Sequence, residues 1–249
     1  MKFSLVSILA APFLNAVAAA PATCHEAKTP AFFLAGDSTT AIGGGWGDGF
    51  LATLRSGATG QNKGHNGATT ASFVAGGDWA TVLGLVKDNK AKYECYVTIQ
   101  FGHNDQKTTS NVTITQFQAN LESMAKQVRS AGATPVILTS LTRRKFSSAG
   151  VLNADLADVV AAAKKAAAAG GTDLLDLNAA SSKYIQAIGS ANADTYNLEE
   201  GDRTHLNDHG RAIFGRMVAD LIVGWKPALS TYVTPDAALS EKIAQGVYA

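Results

Sequence analysis

Short apolar runs alternate with longer segments of helical spacing along this chain of 249 residues. The runs Ala31–Ala35, Tyr93–Phe101, Thr134–Thr139 and Asp173–Leu177 read as strands, with a weaker one at Gln61–His65. Between and after them, Gly49–Arg55, Ser72–Asp88, Thr115–Ala131, Ala154–Ala169 and His209–Val223 read as helices. Ala154–Ala169 is so rich in alanine that propensity alone favours helix, and Gly170-Gly171 is a suitable stop. Strand–helix alternation with short connections predicts the α/β class: a mainly parallel sheet with helices on both faces. In such a sheet, functional groups collect in the loops beyond the carboxyl ends of the strands.

The first twenty residues fit none of these elements. Lys2 precedes an apolar segment that ends in alanines, the pattern of a secretory signal peptide over residues 1–20. Pro12 and Asn15 interrupt it, and its strongly apolar part falls short of the ~20 residues that a membrane span needs. Residues 21–249 carry no repeat and no dividing linker, so one domain is expected, secreted and without a membrane segment. Lys and Arg total 21 against 20 Asp and Glu, with no basic run to suggest nucleic acid. Two cysteines, Cys24 and Cys95, are too few for a disulfide scaffold but allow one bridge pinning the N-terminus. Asn111-Val112-Thr113 is an N-glycosylation sequon in a polar stretch.

Four polar clusters stand where this architecture builds sites. Gly36-Asp37-Ser38-Thr39 follows the first run, Asn66-Gly67-Ala68-Thr69 the weak one, and Gly102-His103-Asn104-Asp105 the run ending at Phe101. Asp202-Arg203-Thr204-His205 precedes the last helix. Each cluster taken alone reads as a turn or a helix cap. Together they hold the parts of one reaction. A serine hydroxyl needs a base, and His205 can activate Ser38. Asp202 can accept from the other imidazole nitrogen and fix its tautomer. The oxyanion formed on an ester needs donors, which the N–H groups of Ser38 and Gly67 and the Asn104 amide can supply. Gly67 suits that place because it lets backbone approach closely.

These blocks, in this order, resemble the SGNH hydrolases, also called the GDSL esterase/lipase family. The resemblance runs from about Ala31 to Val223. It is nearest to the rhamnogalacturonan acetylesterase-like branch, through Thr39 after the serine, Gly45-Trp46-Gly47, Ser72-Phe73, Gln100-Phe101, Thr142-Arg143-Arg144 with Phe146, and Leu206-Asn207. The resemblance implies a three-layer α/β/α sandwich, flavodoxin-like, with a five-stranded sheet. It also implies cofactor- and metal-free hydrolysis of acetyl esters on a pectic polysaccharide, and a monomer is expected.

Substrate-binding candidates are Trp46, which could stack on a sugar, His103, and Arg143 and Arg144, which could pair with uronate carboxylates. The Gly43-Gly44-Gly45 run departs from the family pattern. Other acetylated glycans or small acyl esters are alternative substrates. Two rivals differ in kind. One is a glycan-binding module without catalysis. The other is a metallohydrolase using His205 and His209, for which a third ligand is unassigned.

Overall fold

Strand β1 (Pro30–Gly36) is buried along its whole length and is an interior strand of the sheet. The structure, a computed structural model, describes residues 1–2 and 28–249. The expected signal peptide and Cys24 lie outside the described residues, so the pairing of Cys24 with Cys95 does too. Strands β2 (Thr59–Asn62), β3 (Glu94–Gln100), β4 (Thr134–Leu138) and β5 (Asp173–Leu175) complete a parallel sheet of order β2-β1-β3-β4-β5. Alternate residues of each strand face opposite sides, so the sheet needs cover on both.

Phe32 and Leu34 of β1 pack with α1 (Gly47–Leu51), α6 (Leu177–Asp194), α7 (Asp208–Trp225) and α8 (Ala237–Gln245). Ala31, Phe33 and Ala35 pack with α2 (Thr70–Ala75), α3 (Asp78–Asn89), α4 (Ile114–Ala131) and α5 (Ala157–Gly170). The result is the expected three-layer α/β/α sandwich. Phe32 meets the Phe50 ring edge-on and stacks on Tyr96, with centroids 5.2 Å apart in both pairs. Each such buried side chain contributes about 1.5–3 kcal/mol.

Two helical expectations change. Ser72–Asp88 is two helices, because Gly76 and Gly77 end α2, and Gly77 adopts a left-handed φ of 90°. The segment after β5, unassigned from sequence, forms α6, and the C-terminal stretch forms α8, whose Ile243 joins the core. Among the described residues, no helix is long and apolar enough to cross a membrane.

Strand register positions the loops. Gly36 lies opposite Gln100, so β1 and β3 end level and their following loops leave side by side. Beyond β2, the His65 N–H donates to the Gly36 carbonyl at 2.9 Å, bringing Asn66 and Gly67 to the same edge.

Candidate active site

Ser38 stands in the turn just past β1. The turn closes through the N–H groups of Thr40 and Ala41, both donating to the Asp37 carbonyl at 3.0 Å. Gly36 is required there, since a Cβ would collide with Thr40 Oγ1 and the Gln100 carbonyl. Asp37 is fully buried beneath the serine. Its Oδ1 accepts from the Thr39 N–H at 2.9 Å and the Thr39 hydroxyl at 2.7 Å. Burial raises the Asp37 carboxyl above the usual range, and the Thr39 bonds offset this only in part. The Gln100 side chain ties the turn to β3: its Nε2 donates to Thr39 Oγ1 at 2.9 Å, and its Oε1 accepts from the Trp46 indole at 2.7 Å. Threonine after the serine therefore supplies polar contacts that leucine could not.

His205 Nε2 lies 2.9 Å from Ser38 Oγ, and His205 Nδ1 lies 2.8 Å from Asp202 Oδ2. Asp202 Oδ1 accepts the N–H groups of Thr204 and His205, each at 3.0 Å. Partial burial would raise the Asp202 carboxyl, but these backbone bonds and the His205 ring hold it below the usual carboxylate range. An ionised acceptor on Nδ1 leaves Nε2 free to take a proton from the serine. Residues far apart in sequence thus form one hydrogen-bonded chain.

The loop carrying His205 is tied down from several sides. The Leu206 N–H donates to the Gly44 carbonyl at 2.8 Å, so the glycine run beside Ser38 is bonded to the histidine loop. The Leu198 N–H donates to the His205 carbonyl at 3.0 Å. Asn207 caps α7, its side chain accepting from the Gly210 N–H at 2.9 Å. Because α7 starts at Asp208, His205 lies outside it. His209 packs its ring against Tyr196, 5.1 Å between centroids, and does not converge on His205.

Asn104 faces Ser38 across a cavity of about 510 Å³ whose lining includes both, with Gly67, Lys107 and His205. Its Nδ2 donates to the Ala68 carbonyl at 3.0 Å, which occupies one of two amide hydrogens. Its Oδ1 accepts from Lys107 Nζ at 2.7 Å. The N–H groups of Ser38 and Gly67 make no hydrogen bond among the described residues. Glycine at 67 answers to a left-handed φ of 77°, not to crowding, since nothing lies within 4 Å of a Cβ built there. Asp105, with no role in the sequence reading, joins the two donor loops: its Oδ1 accepts from the Thr70 N–H at 2.8 Å and the Thr70 hydroxyl at 2.6 Å. Ile42 and Leu198, 68% and 40% exposed, give the cavity an apolar rim.

Three substrate-binding candidates are corrected. Trp46 has no exposed face, because its ring is core and its indole N–H is held by Gln100. Arg144 is buried and braces the histidine loop, donating to Asn197 Oδ1 at 2.8 Å and to the carbonyls of Asp202 and His205 at 3.1 and 2.6 Å. Burial lowers its pKa to about 10. His103 is buried too, its Nε2–H donating to the Leu141 carbonyl at 2.9 Å. Burial first, then the charge of Arg143, lowers its pKa to about 3 and keeps it neutral. Arg143 is half-buried on the wall of a different cavity. Asn111 is exposed, with a φ of 57°, at the end of a short 3-10 turn. Cys95 is buried on β3, where burial pushes its thiol up.

Comparison with known proteins shows the family. Rhamnogalacturonan acetylesterase RhgT of Bacillus subtilis is 30% identical over 207 residues, 76% of this chain and 87% of that one. The rhamnogalacturonan acetylesterase of Emericella nidulans is 26% identical over 234 residues, 84% of this chain and 91% of that one. A crystal structure of the Bacillus subtilis protein YXIM shares the fold with a TM-score of 0.70 at 22% identity, covering 83% of this chain and 59% of that protein's length. The model of the GDSL-like lipase/acylhydrolase family matches residues 34–213. This chain belongs to the GDSL-like lipase/acylhydrolase family and is a carboxylic ester hydrolase.

Proposed function

We propose that the protein is a secreted serine esterase that removes acetyl groups from plant cell-wall polysaccharide, with acetylated rhamnogalacturonan as its preferred polymer. The observation that supports the chemistry is the hydrogen-bonded chain Asp202–His205–Ser38 beside Asn104 and Gly67. The named activity of RhgT and its Emericella nidulans counterpart supports the polymer, and the N-terminal pattern supports secretion.

Ser38 Oγ attacks the acetyl carbonyl as His205 Nε2 takes its proton. The carbonyl π electrons move onto oxygen, and the oxyanion is met by the N–H groups of Ser38 and Gly67 and the free amide hydrogen of Asn104. The intermediate collapses, the sugar oxygen leaves with the proton from His205, and an acetyl-serine remains. Water then attacks the acetyl carbonyl, giving its proton to His205. Collapse of this second intermediate releases acetate and restores Ser38. Asp202 stays ionised, holding the ring and stabilising its cation. Asn111, exposed in its sequon, is a glycan acceptor in this reading.

Acetate release from acetylated rhamnogalacturonan and from acetylated xylan, at equal ester concentration, tests the assignment. The first polymer is expected to react faster, and rates equal within about twofold would overturn the preference.

A further inference from the structure

A second cavity lies apart from the one at the serine. Its volume is about 620 Å³, and it lies beyond the carboxyl end of β4 and shares no lining residue with the catalytic one. Thr142 and Arg143 form one wall, and the N-terminal halves of α5 and α6 form the others. Three cations, Arg143, Lys164 and Lys183, line it with one carboxylate, Asp155.

The partners of these groups single out Arg143. Lys164 is paired with Asp176 at 2.6 Å, and Lys183 donates to the Ala244 carbonyl at 3.3 Å. Asp155 faces Lys145 at 3.9 Å. Arg143 makes no side-chain hydrogen bond or ion pair among the described residues, and its Nε is fully buried without an acceptor. Its two terminal nitrogens are neither buried nor bonded among the described residues, so they are the groups that a ligand in the cavity would meet. A guanidinium fork fits a carboxylate through two parallel N–H···O bonds. The rest of the wall suits a sugar ring: Leu152, Leu156 and Val160 give an apolar patch, and Asn153 and Ser182 have unengaged polar side chains.

The two cavities lie along one edge of the sheet. Ser38 follows β1 and Arg143 follows β4, with only β3 between those strands. At the usual strand spacing their loops are roughly 10 Å apart, within reach of one short oligosaccharide. The bond from His103 to the Leu141 carbonyl links the intervening loops.

We propose that this second cavity is a carbohydrate subsite that takes a carboxylate-bearing sugar of the same polymer whose acetyl ester sits at Ser38, with Arg143 binding the carboxylate. The inference rests on the reading of the protein as an esterase of acidic polysaccharide.

Calorimetric titration of wild type, Arg143→Ala and Arg143→Gln with unacetylated tetragalacturonate and with neutral xylotetraose tests it. Wild type is expected to prefer the galacturonate by about tenfold or more, and both variants to lose that preference while binding xylotetraose as before. Two variants are used so that a folding defect in one does not decide the result. Unchanged galacturonate binding in the variants, or no galacturonate binding by wild type, overturns the subsite. Failure to release acetate from acetylated rhamnogalacturonan would instead overturn the functional reading, whatever Arg143 does.

Discussion

Lys107 Nζ donates to Asn104 Oδ1 at 2.7 Å, while the opposite end of the same amide donates to the Ala68 carbonyl at 3.0 Å. An amide with an ammonium on its oxygen and a carbonyl on its nitrogen has one allowed orientation. That orientation leaves a second N–H available to the reacting oxygen. Asn104→Ala is expected to lower kcat by about 10²–10³ with little loss of thermal stability. Lys107→Met removes only the orienting bond, so kcat on an aryl acetate should fall by about tenfold with KM nearly unchanged, and Lys107→Arg should restore part of it. Equal kcat in Lys107→Met and wild type would contradict this role.

Arg144 links Asn197 to the carbonyls of Asp202 and His205 from a position with no solvent exposure. Arg144→Met takes the charged donor from both carbonyls and leaves His205 only the Leu198 N–H, and charged hydrogen bonds of this kind contribute about 1.5–3 kcal/mol each. The expected result is a lower thermal midpoint and a loss carried mainly by kcat, because the loop holding His205 loosens. A change confined to KM for acidic substrates would mean that the guanidinium meets ligand after all.

Trp46 donates to Gln100 from inside the core. Trp46→Phe should therefore destabilise the fold by about 1–3 kcal/mol, measured by denaturant unfolding, without a selective rise in KM for polysaccharide. A selective rise in KM at unchanged stability would restore the stacking role.

His103 has its pKa lowered to about 3 by burial, against an ordinary value near 6.5 once unfolded. Between those values the unfolded chain binds a proton that the folded protein refuses. Stability must then fall as pH falls from about 6.5 toward 3 through this group. His103→Gln can keep the donor to Leu141 and has no proton to bind, so its thermal midpoint should depend less steeply on pH across that window. Parallel pH profiles for the two proteins would contradict the assignment.

Much of this was legible in the chain because strands β1, β3 and β4 are continuous apolar runs with polar residues directly after them. Ser38, Asn104 and His205 could be placed because their clusters occur together and in order, two directly after strands and one just before the last long helix. Other features depend on which way a side chain turns, and residue type does not say. Trp46 and Arg144 have the chemistry of sugar and carboxylate binders, yet both turn inward, where Gln100 and the loop carbonyls satisfy them. Lys107 is one lysine in a polar stretch, and only the fold brings it to Asn104. Helix α6 was missed because Leu177, Tyr184, Ile185 and Ile188 are its few large buried residues, and Gly189 interrupts its helical backbone with a φ of 75°.

The central claim is that Ser38 is a nucleophile activated by His205. Labelling with a fluorophosphonate, followed by mapping of the modified peptide, tests it without knowledge of the natural substrate. The account predicts stoichiometric modification of Ser38 in wild type, loss of aryl-acetate hydrolysis in step with labelling, and far slower labelling in His205→Ala. Modification of a different serine, or full esterase activity in Ser38→Ala, would contradict it.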